Sequence, residues 1–188
     1  LCFQYGAAEV SFYMKELRSY AATLLQKKLA SVKVKSYFAK EQLDDGSPLS
    51  VKFTIKRDGR LGIDFSFLFS VNAGNLNATK AIVQSVILYV LRLWVNQPIA
   101  MNEGLMSPVD IKLPLGLLNP DFSGKTLPAV VGGNTEISQR LTDTLLKALG
   151  LVACSQGTMN NFLFGNQRFG FYETICGGTG AGPGFDGT

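Results

Sequence analysis

LSVKFTIKRDGRLGIDFSFLF, residues 49–69, is the stretch that decides the fold. Apolar side chains occupy every second position of residues 49–55 and again of residues 61–69. A period of two is typical of strands with one buried face. Between the two runs lies Asp58-Gly59, a dipeptide favoured in type I′ turns, in which both central residues have positive φ. The stretch therefore predicts an antiparallel hairpin with one face in a core.

Helical periodicity is found on both sides of this hairpin. Residues 7–32 carry a stripe of apolar side chains with lysines opposite, which predicts an amphipathic helix. Residues 78–95 predict a buried helix, because this apolar run is shorter than the roughly 20 residues that cross a bilayer. A third helix is predicted from Asn134 to Gly150. The apolar positions of the first and third helices are Val10, Met14, Leu17, Ala21, Leu24, Leu25, Leu29 and Val32, and Ile137, Leu141, Leu145 and Leu149.

We expect one continuous α+β unit, a mostly antiparallel sheet with packed helices followed by a glycine-rich, loop-rich C-terminal lobe. Its parts are a helical lead-in over 1–43, the hairpin, buried helix and proline-rich loops over 44–133, and an amide- and glycine-rich lobe over 134–188. Five of the seven prolines lie in residues 97–133, where a short strand is predicted at 109–113. Because the sequence does not open with methionine, we expect it to be part of a larger domain.

Composition favours a globular chain, since 46% of its 188 residues are apolar and 17% are charged. The net charge of +4 is concentrated in residues 1–60, but the lysines form no run, so we expect a solvated surface and neither a nucleic-acid nor a membrane partner. Three cysteines without a CxxC spacing, and the lack of a secretory signal, predict free thiols and a cytoplasmic location. The absence of histidine excludes Ser-His and Cys-His nucleophile pairs, and histidine-containing zinc sites, within this sequence.

Side-chain amides are unusually frequent in residues 134–167. Asn160 and Asn161 lie between Met159 and Phe162, so we expect at least one of the two amides to be buried. A buried amide must be hydrogen-bonded, because leaving it unpaired costs about 1–3 kcal/mol. The amides could pin loops or could contact a cyclic amide or carboxylate ligand, and both explanations stay open. The full set is Asn134, Gln139, Gln156, Asn160, Asn161, Asn166 and Gln167.

Two glutamates are candidates for acid-base chemistry. Glu173 follows Tyr172 in an aromatic run, and a carboxylate among aromatic rings can serve as an acid or a base. An ion pair of Glu173 with Arg168 or Arg140 is the structural alternative. Glu136 lies in the first turn of the third predicted helix, where stabilisation of the helix N-terminus is the structural alternative.

The glycine-dense segment GGTGAGPG at residues 177–184 is the last candidate. No Lys-Ser or Lys-Thr follows it, so it is not a P-loop, and Pro183 interrupts its dinucleotide-like spacing. Its backbone N–H groups could form an anion-binding nest. A tight structural turn that passes close to another part of the backbone would need the same glycines.

Six blocks of the sequence, taken in order, resemble the hydantoinase B/oxoprolinase family. They are GNLNA at 74–78, MNEGLMSPVDIKLP at 101–114, LNP at 118–120, GGNTEISQR at 132–140, SQGTMNNFLFGN at 155–166 and YETICGGTGAGPGFDG at 172–187. Two positions depart from the family pattern: DFSF at 64–67 stands where DFSG is usual, and Thr79 where proline is common. These departures affect the subfamily more than the family.

The resemblance implies an ATP-dependent enzyme that opens a small cyclic amide such as 5-oxoproline or N-methylhydantoin. It implies an actin-like A-type partner, as a subunit or domain that uses ATP, beside the remainder of the B-type polypeptide. ATP and a divalent metal would then bind elsewhere in the parent protein and not within this chain. The alternative is a non-catalytic scaffold part of a related carboxylase-type complex. Candidate substrate-binding residues are Asn134, Gln139, Asn160, Asn161, Tyr172, Gly178, Gly180 and Gly182, and Glu173 and Glu136 are the candidate catalytic groups.

Overall fold

The computed structural model describes residues 1–67 and 70–188, which form four helices and six strands. The helices are α1 (Cys2–Tyr5), α2 (Ala7–Ser31), α3 (Lys80–Val95) and α4 (Ile137–Ala148). The strands are β1 (Ser36–Gln42), β2 (Pro48–Ile55), β3 (Leu61–Asp64), β4 (Val109–Lys112), β5 (Asn160–Gly165) and β6 (Gly170–Ile175). Short 3-10 turns cover Glu103–Met106 and Val131–Gly133. Within the described ranges, every helix is too short or too polar to cross a bilayer.

Strands β1 to β4 form one sheet in chain order, which confirms the α+β class. The first two pairings are antiparallel, and the third, between β3 and β4, is parallel and places Ile63 beside Ile111. Strand β1 lies within the predicted helical lead-in and was missed. Only Ala39 in it is buried, because β1 is an edge strand with little apolar patterning.

The predicted β2-β3 hairpin forms, but its turn is not of type I′. Of the two turn residues only Gly59 has a positive φ, of 78°, whereas a type I′ turn requires a positive φ at Asp58 as well. Lys56 and Arg60 close a three-residue loop, in which the Gly59 N–H donates to the Lys56 carbonyl at 3.1 Å. This is the type I turn followed by a left-handed glycine that fits three-residue loops.

Strand β3 ends at Asp64, earlier than the predicted end at Phe69. The Asp64 carboxylate accepts a hydrogen bond from the Ser66 N–H at 2.7 Å, which turns the chain out of the sheet. Phe65 is still fully buried, whereas Phe67 is 52% exposed. Leu68 and Phe69 lie outside the described residues.

Helices α3 and α4 bury apolar side chains in the core, as the sequence predicted for them. Helix α2 does so only in its C-terminal half, where Ala21, Leu25 and Leu29 are buried. Met14 and Leu17, predicted as part of the same buried stripe, are 61% and 53% exposed. The prediction was wrong for these two residues, because the elements that cover Ala21, Leu25 and Leu29 leave them exposed.

A small ion-pair cluster joins the β2-β3 turn to β4. The Asp110 carboxylate accepts from the Arg60 guanidinium at 2.5 Å and from the Lys56 ammonium at 2.6 Å. These hydrogen bonds, Arg60 first, hold the pKa of Asp110 well below its ordinary value.

The lowered pKa of Asp110 predicts a component of acid sensitivity in the fold. A carboxyl whose pKa is lower in the folded than in the unfolded chain stabilises the fold above its unfolded pKa of about 4, and that stabilisation is lost as the pH falls. We expect Asp110→Asn to lower the urea midpoint at pH 7 and to make it fall less between pH 5 and pH 3 than in the unsubstituted chain. Parallel pH profiles of the two chains would contradict this.

Candidate functional site

The β5-β6 hairpin projects from the rest of the chain. Every residue of both strands is exposed, although several are large and apolar. Antiparallel pairing sets Phe164 opposite Phe171 and Leu163 opposite Tyr172. Because side chains alternate along a strand, these two pairs lie on opposite faces of the hairpin. The hairpin was not predicted as a separate element of the C-terminal lobe.

One face of the hairpin carries a polar cluster formed by Asn161, Tyr172 and Thr174. The Tyr172 hydroxyl donates to Asn161 Oδ1 at 3.0 Å, and the Thr174 hydroxyl donates to the same oxygen at 2.9 Å. The two hydroxyl oxygens are 3.4 Å apart. We call this the polar face. Sequence analysis singled out Asn161 and Tyr172 but missed Thr174, whose strand spacing from Tyr172 would have placed both on one side.

The opposite face is aromatic. Phe164 lies with its ring centroid 5.3 Å from that of Phe162 and 4.9 Å from that of Phe171. Asn160 and Glu173 share this face, because they are in register with Ile175 and Phe162 respectively. The candidate residues Glu173 and Tyr172, adjacent in sequence, are therefore on opposite sides of the hairpin.

One expectation about these residues was wrong, and one structural alternative does not occur. Both Asn160 and Asn161 are exposed, so neither is the predicted buried amide. Within the described ranges Glu173 makes no ion pair with Arg168 or Arg140. The Arg140 guanidinium instead donates to the backbone carbonyl of Gln42 at 2.5 Å.

The start of α4 meets the base of the hairpin. The Met159 N–H donates to the Thr135 carbonyl at 3.1 Å, and the Thr158 hydroxyl donates to the Glu136 carboxylate. Glu136 therefore ties the hairpin to the N-terminus of α4, as a structural role would require. Asn134 precedes this contact and Gln139 lies one turn later on α4, and both are exposed.

Asp143 fixes the segment that leads from α4 into the hairpin. Asp143 is 7% exposed, and its carboxylate accepts from the Ser155 N–H at 3.0 Å and from the Ser155 hydroxyl. The three described cysteines are free, as predicted. Burial, with the Asp143 charge second, raises the pKa of Cys154, which keeps its thiol protonated and poorly nucleophilic at neutral pH.

The glycine-dense segment folds back on the residues that follow α4. The Ala153 N–H donates to the Ala181 carbonyl at 2.8 Å, and a Cβ added to Gly180 would lie 2.1 Å from the Ala153 carbonyl oxygen. A Cβ on Gly182 would lie 2.7 Å from the carbonyl oxygen of Leu151. These glycines, and Gly178 likewise, permit contact between two backbones that no side chain would allow.

Among the described residues the buried side-chain amide is Asn77, which sequence analysis did not select. It is fully buried, and its NH₂ group donates to the carbonyls of Ala129, Asn72 and Gly74 at 2.8, 3.0 and 3.3 Å. Its Oδ1 accepts from the Asn72 N–H at 2.8 Å. A Cβ on Gly133 would lie 2.7 Å from the Asn77 carbonyl oxygen, so the blocks at 74–78 and 132–140 are neighbours in space.

The described residues do not make a metal site. Nowhere in residues 1–67 and 70–188 do three His, Cys, Asp or Glu side chains come together in a way that could hold a metal ion.

Comparison with known proteins matches the whole chain, residues 1–188, to the family model described as hydantoinase B/oxoprolinase. The chain is 40% identical over 201 residues to 5-oxoprolinase 1 of Arabidopsis thaliana and 40% identical over 192 residues to 5-oxoprolinase of Dictyostelium discoideum. These matches cover 98% and 97% of this chain but only 16% and 15% of the relatives. The fold resembles that of the ATP-dependent caprolactamase from Pseudomonas jessenii with a TM-score of 0.74, at 18% identity, over 96% of this chain and 36% of that one.

Proposed function

The chain belongs to the hydantoinase B/oxoprolinase family, and we propose that it contributes to an ATP-dependent hydrolase that opens a small cyclic amide. The observation that supports this most is the 40% identity, over nearly the whole chain, to a protein named 5-oxoprolinase 1. Since the chain spans about one sixth of that relative (16% of its length), the complete activity requires other parts. We propose 5-oxoproline as the substrate.

The remaining parts are an actin-like A-type region that uses ATP and the rest of the B-type polypeptide. ATP supplies activation, since a phosphorylated amide oxygen makes the ring carbon more electrophilic and easier for water to attack. A divalent metal would bind in another part of the parent protein. A cytoplasmic location is part of the same proposal.

Within this chain we propose that the substrate contacts the polar face of the hairpin. Asn161 and Tyr172 lie together there, whereas Asn160 and Glu173 lie on the aromatic face, and one small ring cannot contact both faces of a sheet. The aromatic face is better suited to packing against another part of the enzyme. The start of α4, with Asn134, Glu136 and Gln139, and the glycines Gly178, Gly180 and Gly182 would hold the hairpin at the substrate site.

The test is ADP release by the complete protein that carries this chain together with its ATP-using part. Candidate substrates are 5-oxoproline, N-methylhydantoin, and acetone with bicarbonate, and ring opening is measured in parallel. We expect 5-oxoproline to stimulate ADP release at least about tenfold, because a bound and positioned substrate lowers the barrier to reaction. Stimulation by acetone with bicarbonate, and by neither cyclic amide, would place the protein among carboxylases.

A variant of the polar face sharpens this test. We expect Asn161→Ala to reduce the catalytic efficiency, kcat/KM, by about tenfold or more, because a lost hydrogen bond to substrate costs roughly that factor. If no candidate substrate stimulates a well-folded complex, the hydrolase assignment is wrong and a scaffold role is favoured.

A further inference from the structure

Hydrogen bonds on the polar face hold the side chain of Asn161. A carbonyl oxygen has two lone pairs. Both lone pairs of Asn161 Oδ1 accept hydroxyl protons, from Tyr172 at 3.0 Å and from Thr174 at 2.9 Å. After a half-turn the NH₂ group would donate to the same two hydroxyl oxygens, so in either orientation one polar group of the amide faces the hydroxyls and the other faces away. The structure shows the orientation with Oδ1 toward the hydroxyls.

That orientation leaves donors and acceptors free on the same surface. The Asn161 NH₂ group donates to no other group among the described residues, and it carries two N–H bonds. The Tyr172 and Thr174 oxygens, 3.4 Å apart, have directed their protons at Asn161 and keep lone pairs. A donor edge thus lies beside an acceptor edge.

The polar face is open to a ring. Asn161 and Thr174 form one cross-strand pair and Leu163 and Tyr172 the next on the same face, and all four residues are exposed. A ring that reaches the polar cluster would therefore lie beside the Leu163 side chain and the Tyr172 ring.

A cyclic amide matches this pattern because its ring holds the amide in the cis form, with C=O and N–H on one edge. We infer that Asn161, Tyr172 and Thr174 recognise this edge, with Asn161 donating to the ring carbonyl and a hydroxyl oxygen accepting the ring N–H. Thr174 acts through Asn161 and is a positioning residue. The inference rests on the proposed function and adds to it the group that the site distinguishes.

The test is Thr174→Val in the complete protein, which removes the hydroxyl and keeps the shape of the side chain. We expect KM for 5-oxoproline to rise about tenfold, the effect of one hydrogen bond to a substrate-positioning group, while kcat changes less than about twofold. Thr174→Ser should restore KM. Thr23→Val is the matched control, since the exposed Thr23 hydroxyl bonds only its own helix at Ser19, and it should leave both constants unchanged.

A second measurement addresses recognition of the ring N–H. The N-methylated lactam lacks this donor, so the unsubstituted protein should prefer 5-oxoproline to its N-methyl analogue. In Thr174→Val and Tyr172→Phe this preference should fall by about threefold to tenfold. A cluster that only stabilises the hairpin would change the thermal stability of these variants without changing the preference.

Calorimetric binding of 5-oxoproline without ATP separates this inference from the proposed function. Turnover by the unsubstituted protein with an unchanged KM in Thr174→Val would overturn the inference alone. Binding that is weakened in Thr174→Val, without any ring opening, would overturn the proposed function alone. A complex that neither binds nor opens the lactam would overturn both.

Discussion

We expect Gly104→Ala to destabilise the chain by about 3 kcal/mol, at the upper end of the usual cost of overpacking. Gly104 lies in the 3-10 turn Glu103–Met106, which packs against the middle of α2. A Cβ at this position would lie 2.0 Å from the carbonyl oxygen of Arg18 and 2.7 Å from its carbonyl carbon. Both are backbone atoms of a long helix, so neither can move without moving the helix.

The turn cannot give way instead. Leu105, the next residue, is fully buried, so shifting the turn would withdraw it from the core. Relief must come from α2, and moving α2 would loosen Ala21 and Leu25, which are also buried. The clash therefore costs packing energy on one side or the other.

The measurement is urea unfolding followed by the fluorescence of Trp94, the single tryptophan, which is 3% exposed. Gly124→Ala is the matched control, because its added Cβ would have an ordinary contact at 3.7 Å. We expect the control to change the free energy of unfolding by less than about 1 kcal/mol, in either direction. Equal midpoints for the two variants would show that α2 does not pack on this turn as described.

Local periodicity was enough to predict the elements that bury a regular face. Helices α3 and α4 and the β2-β3 hairpin all have it, and all three form close to the predicted residues. Strand β4 also lies where a short strand was expected. Its parallel pairing with β3 could not be foreseen, because it depends on how residues 65–108 cross back to the sheet.

The β5-β6 hairpin was missed for a physical reason. In Phe162-Leu163-Phe164 successive residues are apolar on both faces, so the sequence lacks the period of two that indicates a strand. Without a predicted strand, nothing placed the adjacent candidates Tyr172 and Glu173 on opposite faces. The strand separates them, and it joins Tyr172 to Thr174 instead.

The buried amide was placed in the wrong segment for a related reason. Asn160 and Asn161 have apolar neighbours in sequence, whereas Asn77 lies in a run of glycines and asparagines that is typical of exposed loops. Asn77 is buried by segments distant in the chain, including Ala129, 52 residues away. Burial of this kind depends on tertiary contacts and leaves little local pattern.

We expect Asn77→Ala to destabilise the chain by about 3 kcal/mol, because it removes hydrogen bonds, each worth about 1 kcal/mol, from several part-buried backbone groups. The carbonyls of Asn72 and Ala129 lose their donor, and the Asn72 N–H loses its acceptor. The loop at 72–78 would then separate from residues 129–133, which Gly132 and Gly133 bring within backbone contact of it. Asn75→Ala is the matched control, since Asn75 is exposed in the same loop and its side chain makes no hydrogen bond with the described residues.

Asn77→Asp separates the loss of hydrogen bonds from the loss of side-chain volume. It keeps the size of the side chain and the accepting oxygen. In place of the NH₂ group, however, it points a second oxygen at the carbonyls that accept hydrogen bonds from Asn77 in the unsubstituted chain. A buried carboxylate among carbonyl oxygens has its pKa raised, because the charged form is poorly solvated and faces like partial charges. We therefore expect this variant to be less stable than Asn77→Ala at pH 8. Because protonation restores one donor, the difference should shrink as the pH falls to 5. Urea midpoints at the two pH values test this, and an Asn77→Asp chain as stable as Asn75→Ala at pH 8 would contradict the role of Asn77.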